Sequence, residues 1–348
     1  MRTLIPAAQR SNPQQSRRRA ALRLAAVGLG LAVLAGCSSG AKPADQPSPA
    51  SASPTTAAFP VTIKNCGVSV TVDKAPTRAV TMNQGATETL LALGLQDSMV
   101  GTAYLDDAVS PQWQAAYEKV PVLAKEYPNQ EKLLSVNPDF VAASYSSAFD
   151  AKAAGSRADL AKLGIATYVS PFACEDKSQR AKTSWDSIFG EVTDVATLFG
   201  NQDSATKLIE QQQAEVKKVT DAAPAKGKTI LWYDSGTKTP YVGASQGAPQ
   251  LMINALGGSN VFGSLEGNWA DGNWETVLKA NPDVIVLADA SWDTAAQKKA
   301  YLKSDPALKD LTAVKNNAFL VIPFSDTTPG VRNAEGLTSL AEQLGKLQ

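Results

Sequence analysis

The sequence predicts an α/β protein of two similar lobes with mostly parallel sheets, joined by one long helix, with a ligand cleft between the lobes. Three observations point there. Short apolar strands alternate with helical patterns along most of the chain, the signature of βαβ units. An internal repeat recurs at a spacing of 144 residues: Glu131-Lys132-Leu133-Leu134-Ser135-Val136-Asn137-Pro138-Asp139-Phe140-Val141 is echoed by Glu275-Thr276-Val277-Leu278-Lys279-Ala280-Asn281-Pro282-Asp283-Val284-Ile285. Between the halves, Ser184–Ala223 reads as helix, interrupted only at Phe199-Gly200-Asn201.

The first 36 residues hold six arginines and no acid, followed by an apolar run from Leu24 to Leu34. That run is too short to span a bilayer, which takes about 20 residues, and it fits the apolar core of a secretion signal. Ser16-Arg17-Arg18 leaves Sec and twin-arginine export both open. Ser38–Ala58 is rich in Ser, Pro, Ala and Thr, a composition unable to bury enough apolar surface to fold. The expected division is therefore a signal at 1–36, a tether at 37–58, a first lobe at 59–200, a backbone helix at 201–224 and a second lobe at 225–348.

In the first lobe, strands are expected at Ala79–Met82, Met99–Thr102, Phe140–Ser144 and Thr167–Ser170. In the second they fall at Thr229–Tyr233, Val284–Ala288 and Phe319–Ile322. Amphipathic helices at Glu88–Gly94 and Gln250–Gly257 each end at a glycine. In both repeats Asn-Pro-Asp separates helix from strand, because the residue before proline avoids the α region. Asn65-Cys66-Gly67 reads as a turn.

The chain has 33 basic and 33 acidic residues, no histidine and three cysteines. Residues 1–36 hold six of the bases, so their removal leaves 27 against 33, a net charge of −6. A nucleic-acid partner is not expected, since binding needs a basic face. Without histidine there is no Ser-His-Asp or Cys-His catalytic unit and no His-ligated metal. No cofactor, resident metal or catalysis is expected. Cys66 and Cys174, outside the cytoplasm, read most simply as a disulfide. Closing their loop of about 108 residues stabilises by roughly 4–5 kcal/mol in the chain-entropy view.

Ligands of open α/β sheets meet the loops after strand C-terminal ends. In the first lobe these loops offer Asn83, Gln84, Tyr104, Asp106, Asp107, Tyr145, Ser146, Ser147 and Phe172. In the second they offer Tyr233, Asp234, Ser235, Trp269, Trp274, Ser291, Trp292, Phe324, Ser325, Thr327 and Arg332. Aromatics among polar loops suit a large planar or amphipathic guest. Any one of them also suits lobe packing. An arginine fork suits a carboxylate or phosphate, or equally an ion pair within the second lobe.

Leu34-Ala35-Gly36-Cys37 resembles the lipobox of bacterial lipoproteins, which implies lipid modification at Cys37. The block Pro76-Thr77-Arg78-Ala79-Val80-Thr81, Gly85–Leu95 and Val100-Gly101-Thr102 is similar to the opening of a known family, the helical-backbone substrate-binding proteins of ABC importers for ferric siderophores and cobalamin. Leu256-Gly257-Gly258-Ser259-Asn260-Val261-Phe262 and Asp305-Pro306-Ala307-Leu308 match the same pattern. The resemblance covers about residues 59–348 and implies two Rossmann-like lobes. It further implies a monomeric, lipid-anchored receptor on the outer face of the cytoplasmic membrane. Such a receptor hands a metal chelate or macrocycle to a permease powered by a separate ATPase, and this chain lacks the phosphate-binding loop of an ATPase. Family members dock through a glutamate on each lobe, a role implied for Glu275 and, by internal symmetry, for Glu131, with Asp150 as competitor. A subgroup proposed to bind an F420-type precursor is similar around Asn65-Cys66-Gly67 and Thr328-Pro329-Gly330-Val331-Arg332. Two other readings stay open: a sensor for the same ligand, and a surface-anchored hydrolase in which Asp106, Asp107 and Asp234 converge.

Overall fold

A computed structural model describes residues 58–347. The signal, Cys37 and nearly all of the tether lie outside the described residues. The chain enters through an antiparallel hairpin, β1 (Val61–Asn65) and β2 (Val68–Val72). Its turn is Cys66-Gly67, both at positive φ (50° and 77°), the geometry that a two-residue hairpin loop demands. The disulfide forms between Cys66 and Cys174, with Cα atoms 5.2 Å apart. It ties the hairpin turn to the loop after the last strand of the first sheet.

That sheet has five strands: β3 (Ala79–Met82), β4 (Met99–Ala103), β5 (Val122–Ala124), β6 (Phe140–Ala143) and β7 (Ala166–Val169). They run parallel in the order β5-β4-β3-β6-β7. β3 and β6 are buried at every position, which explains their unbroken apolar sequences.

The second sheet comprises β8 (Thr229–Ser235), β9 (Tyr241–Gly243), β10 (Ser259–Asn260), β11 (Trp269–Asp271), β12 (Val284–Asp289) and β13 (Phe319–Pro323). Its main path is β11-β9-β8-β12-β13, with β10 alongside β8. The core strands β8, β10, β12 and β13 pair parallel, as expected, but β9 and β11 pair antiparallel and make this sheet mixed at its edge. Both are three residues long and contain Gly or Asp, so neither has an apolar run to betray it.

The Asn-Pro-Asp repeats do the same work twice. Asn137 and Asn281 take left-handed φ values of 46° and 43° rather than the extended geometry expected before proline. Asn281 is the C-cap of its helix, as asparagine can be, and Asn137 follows the Ser135 cap of its own by two residues. The Asp139 carboxylate accepts from the backbone N–H groups of Thr77 and Arg78, each at 2.9 Å. Asp283 accepts from that of Thr229 at 2.7 Å. Each aspartate thus clamps the start of the central strand of its own sheet.

Ser184 opens the Trp185–Phe199 helix with a capping box, and Gly200 ends it at φ 66°. The Gln202–Ala222 helix follows, about 30 Å long at 1.5 Å per residue. Its Ala205 joins the apolar cluster around β3, β6 and the preceding helix, while Val216 and Val219 join the cluster around β8 and the Asn333–Lys346 helix. One rod is therefore rooted in the cores beneath both sheets. Midway along it, the buried Gln212 amide donates to the Val331 carbonyl at 2.7 Å. Among the described residues, no helix is long and apolar enough to cross a membrane.

Candidate functional site

The loops leaving the C-terminal ends of both sheets enclose a cleft of about 500 Å³. Asn83, Gln84 and Gly85 enter it after β3, Asp106 after β4, and Ser144, Tyr145, Ser146 and Ser147 after β6. Ser170, Phe172 and Ala173 follow β7. The opposite wall consists of Asp234 from β8, Tyr241 from β9, Asn268 and Trp269 at β11, and Phe324, Thr328 and Pro329 after β13. Arg180 and Glu191 complete it from the segment that follows the first sheet.

Polar contacts hold the first wall in place. Asn83 sits at φ 70° and is buried, and its amide oxygen accepts from the Tyr127 hydroxyl at 3.1 Å. Ser144 Oγ accepts from the Ala86 N–H at 2.9 Å. On the facing wall, Tyr241 and Trp269 stack across β9 and β11 with centroids 6.0 Å apart and planes 17° from parallel. Burial pushes the carboxyl of Glu191 up to about 7. Burial, then the neighbouring Asp107 charge, lifts Asp106 to about 6. Burial also raises Asp234 and pushes the Tyr145 phenol to about 12, so that it remains a donor. The cleft therefore offers aromatic faces and carboxyls that exchange protons near neutrality, able to donate to or accept from a guest.

Ten residues anticipated from strand ends meet here: Asn83, Gln84, Asp106, Tyr145, Ser146, Ser147, Phe172, Asp234, Trp269 and Phe324. The other ten anticipated residues do not line the cleft. Tyr233 is core, 1% exposed, with its hydroxyl donating to the Gly236 carbonyl at 3.0 Å; successive strand residues face opposite ways, and Asp234 takes the cleft side. Trp274 packs edge-on against Tyr233 and donates through Nε1 to the Thr237 carbonyl at 2.6 Å. Tyr104 packs against Tyr127, centroids 4.7 Å apart, behind Asn83. Trp292 is exposed and leans on Phe324 from outside the lining set. Ser325 and Thr327 are buried in the turn after β13, and neither they nor Ser235 and Ser291 line the cleft.

Arg332 is the largest correction. Its guanidinium is buried in an ion cluster spanning the two sheets' loops. It contacts Asp326, Glu88 at 3.3 Å and Asp107 at 3.9 Å, and it donates to the Ala108 carbonyl at 3.1 Å. Glu88 is fully buried and also accepts from Gln84 at 2.7 Å and the Ser110 N–H at 2.9 Å. Glu335 adds a second crossing, accepting from Ser110 Oγ at 2.8 Å. One cation faces three carboxylates, and burial raises both Glu88 and Asp326 against the pull of Arg332. The arginine ties the two halves together instead of waiting for a ligand. Asp107 belongs to this cluster, its other oxygen accepting from the Ser325 N–H at 3.1 Å, so the three acids considered for a hydrolase do not converge.

Sequence reasoning missed Arg180, Glu191, Tyr241 and Asn268. None follows an apolar strand, so strand-end logic had nothing to attach to. Ser144 and Ser170 were legible, but as the last residues of their strands rather than the first beyond them.

Glu131 and Glu275 are exposed in the first turns of the Gln130–Leu134 and Trp274–Ala280 helices. Each helix is capped two residues earlier by an asparagine, Asn129 or Asn273, accepting from the backbone N–H three positions on.

Two α/β halves with a cleft at their strand ends and a rod beneath define a two-lobed binding protein. The chain belongs to the periplasmic binding protein family, whose profile matches residues 80–325. An uncharacterized ABC transporter substrate-binding lipoprotein of Bacillus subtilis (strain 168), YvrC, is 28% identical over 331 residues, covering 93% of this chain and 95% of that protein. A periplasmic binding protein from Veillonella parvula DSM 2008 superposes with a TM-score of 0.71 at 29% identity, covering 81% of this chain and 96% of the other. An ABC-type Fe3+-hydroxamate transport system protein from Saccharomonospora viridis DSM 43017 gives 0.67 at 26% identity, covering 83% and 100%. The family is one of binding proteins, in keeping with the expectation of capture without catalysis.

Proposed function

We propose that this chain is the extracytoplasmic substrate-binding component of an ABC importer, capturing a ferric siderophore or corrinoid and passing it to a membrane permease driven by a separate ATPase. The observation carrying this reading is the cleft itself: loops from both sheets converge on one volume while a single helix is rooted in both cores. Aromatics from both sides (Tyr145 and Phe172, then Tyr241, Trp269 and Phe324) suit a bulky guest with apolar faces. The Fe3+-hydroxamate relative makes a ferric hydroxamate the first ligand to try. The F420-type alternative stands on similarity around Asn65-Cys66-Gly67 and Thr328-Pro329-Gly330-Val331-Arg332; of the second stretch Thr328 and Pro329 line the cleft, whereas Arg332 is engaged in the ion cluster.

Glu131 and Glu275, equivalent in cap and position, are the proposed docking acids for permease cations. Cys37 is the proposed anchor, holding the protein at the outer face of the cytoplasmic membrane, in line with the lipoprotein name of its Bacillus relative. Lobes at 59–200 and 225–348 about a helix at 201–224 remain the proposed division.

Tryptophan quenching by ferrioxamine B and by cyanocobalamin tests the reading. One of the two is expected to saturate at micromolar concentration or below, with affinity falling at least about tenfold in Trp269→Ala. Binding of neither guest, or quenching indifferent to Trp269, would sink it.

A further inference from the structure

The cleft does not stop at Trp269. A second compartment of about 1060 Å³ continues from it, and Phe172, Arg180, Tyr241, Asn268 and Trp269 line both. Charge is divided between the two. The cleft carries three carboxyl groups, Asp106, Glu191 and Asp234, against one cation, Arg180. The second compartment carries Lys177, Arg180 and Lys182, and no acid lines it.

The basic segment is braced. Cys174 is buried and bonded to Cys66, and its carbonyl accepts from Arg180 Nε at 2.7 Å. The Ala181 N–H donates to the Pro171 carbonyl at 2.9 Å. Asp176 accepts from the Ser178 N–H at 2.8 Å. Lys177, Arg180 and Lys182 are exposed; the Nε bond orients the Arg180 guanidinium, and its terminal nitrogens make no ion pair among the described residues. An oriented fork and two ammonium groups on a recess that no acid lines have the chemistry of a carboxylate or phosphate receptor.

We propose that this compartment is a second subsite, which takes an anionic arm of the guest while the guest's neutral or cationic body lies in the cleft. The inference rests on the binding role above and narrows the ligand to one that is bipartite in charge. The stacked Tyr241–Trp269 pair forms the wall that the two parts share.

Two measurements on the full-length protein test it. At fixed ionic strength, inorganic pyrophosphate is titrated against tryptophan fluorescence. A saturable response is expected in the wild type, and its loss in Lys177→Gln/Lys182→Gln. Ferrioxamine B capped at its amine with succinyl or with acetyl is then compared, the caps differing by one carboxylate. The succinyl form is expected to bind at least roughly fivefold more tightly. That advantage should fall below about twofold in the double variant, whereas Trp269→Ala weakens both forms alike. No saturable pyrophosphate response, an equal response in the variant, or equal affinity for the two caps overturns the subsite. If neither ferrioxamine binds, the hydroxamate assignment fails by itself and the pyrophosphate titration alone decides the subsite.

Discussion

Arg332 illustrates how burial decides what a charged side chain is for. At 6% exposure, amid Asp326, Glu88 and Asp107, it cannot be removed without stranding buried carboxylates. Arg332→Leu is expected to destabilise by about 3–5 kcal/mol in urea denaturation. Quenching by any guest of the cleft should weaken mainly through that loss. Glu191 supplies a titration test. Its folded-state carboxyl is raised from 4.5 to about 7 by burial, so between those values the folded form holds more protons than the unfolded chain. Its contribution is fully present below about pH 4.5 and is lost as the pH climbs through 7. Glu191→Gln is therefore expected to flatten the fall in Tm over that interval and to raise stability at pH 8, by on the order of 3 kcal/mol. Calorimetry across pH 4–8 reads both effects, and a parallel Tm profile in the variant would contradict them.

At the scale of elements, buried parallel strands were the most legible features. Their residues are apolar on both faces, so β3, β6, β12 and β13 stand out from the sequence within a residue of their bounds. The helix break at Phe199-Gly200-Asn201 was legible for a related reason, glycine at left-handed φ being the usual stop. The β1–β2 hairpin and the β9–β11 edge were not, since half-exposed short strands carry polar residues that resemble loop. For the site, legibility followed the same rule. Residues directly after strong strands were found, those arriving from loops and helices were not, and facing direction within β8 was beyond a one-dimensional reading. The Gln202–Ala222 helix yields a prediction of its own. Gln212→Ala leaves the Val331 carbonyl without its donor and is expected to cost about 1–3 kcal/mol, read as a lower urea midpoint.

Over the whole molecule, two kinds of contact stand out between the halves. The rod joins their cores through apolar side chains, while the Arg332 cluster and the Ser110–Glu335 bond join their loops through charge. A rod rooted at both ends favours small rocking over wide hinging, so scattering profiles with and without guest are expected to differ little in radius of gyration. Docking belongs to this scale as well. Glu131→Lys/Glu275→Lys is expected to abolish uptake in cells while leaving ligand quenching within about twofold, since both acids are exposed and outside the cleft. Loss of both together would locate the defect in folding. Asp139 and Asp283 fasten their sheets at the strand N-terminal ends, whereas the strand-end loops lining the cleft depart from the other ends. The strand starts are thus fastened away from the mouth that selects the guest, and the mouth loops have their own fastening in the Arg332 cluster. Transplanting new mouth loops onto this frame should yield receptors for unrelated cargo that still melt cooperatively, provided the Arg332, Glu88, Asp107 and Asp326 cluster is kept.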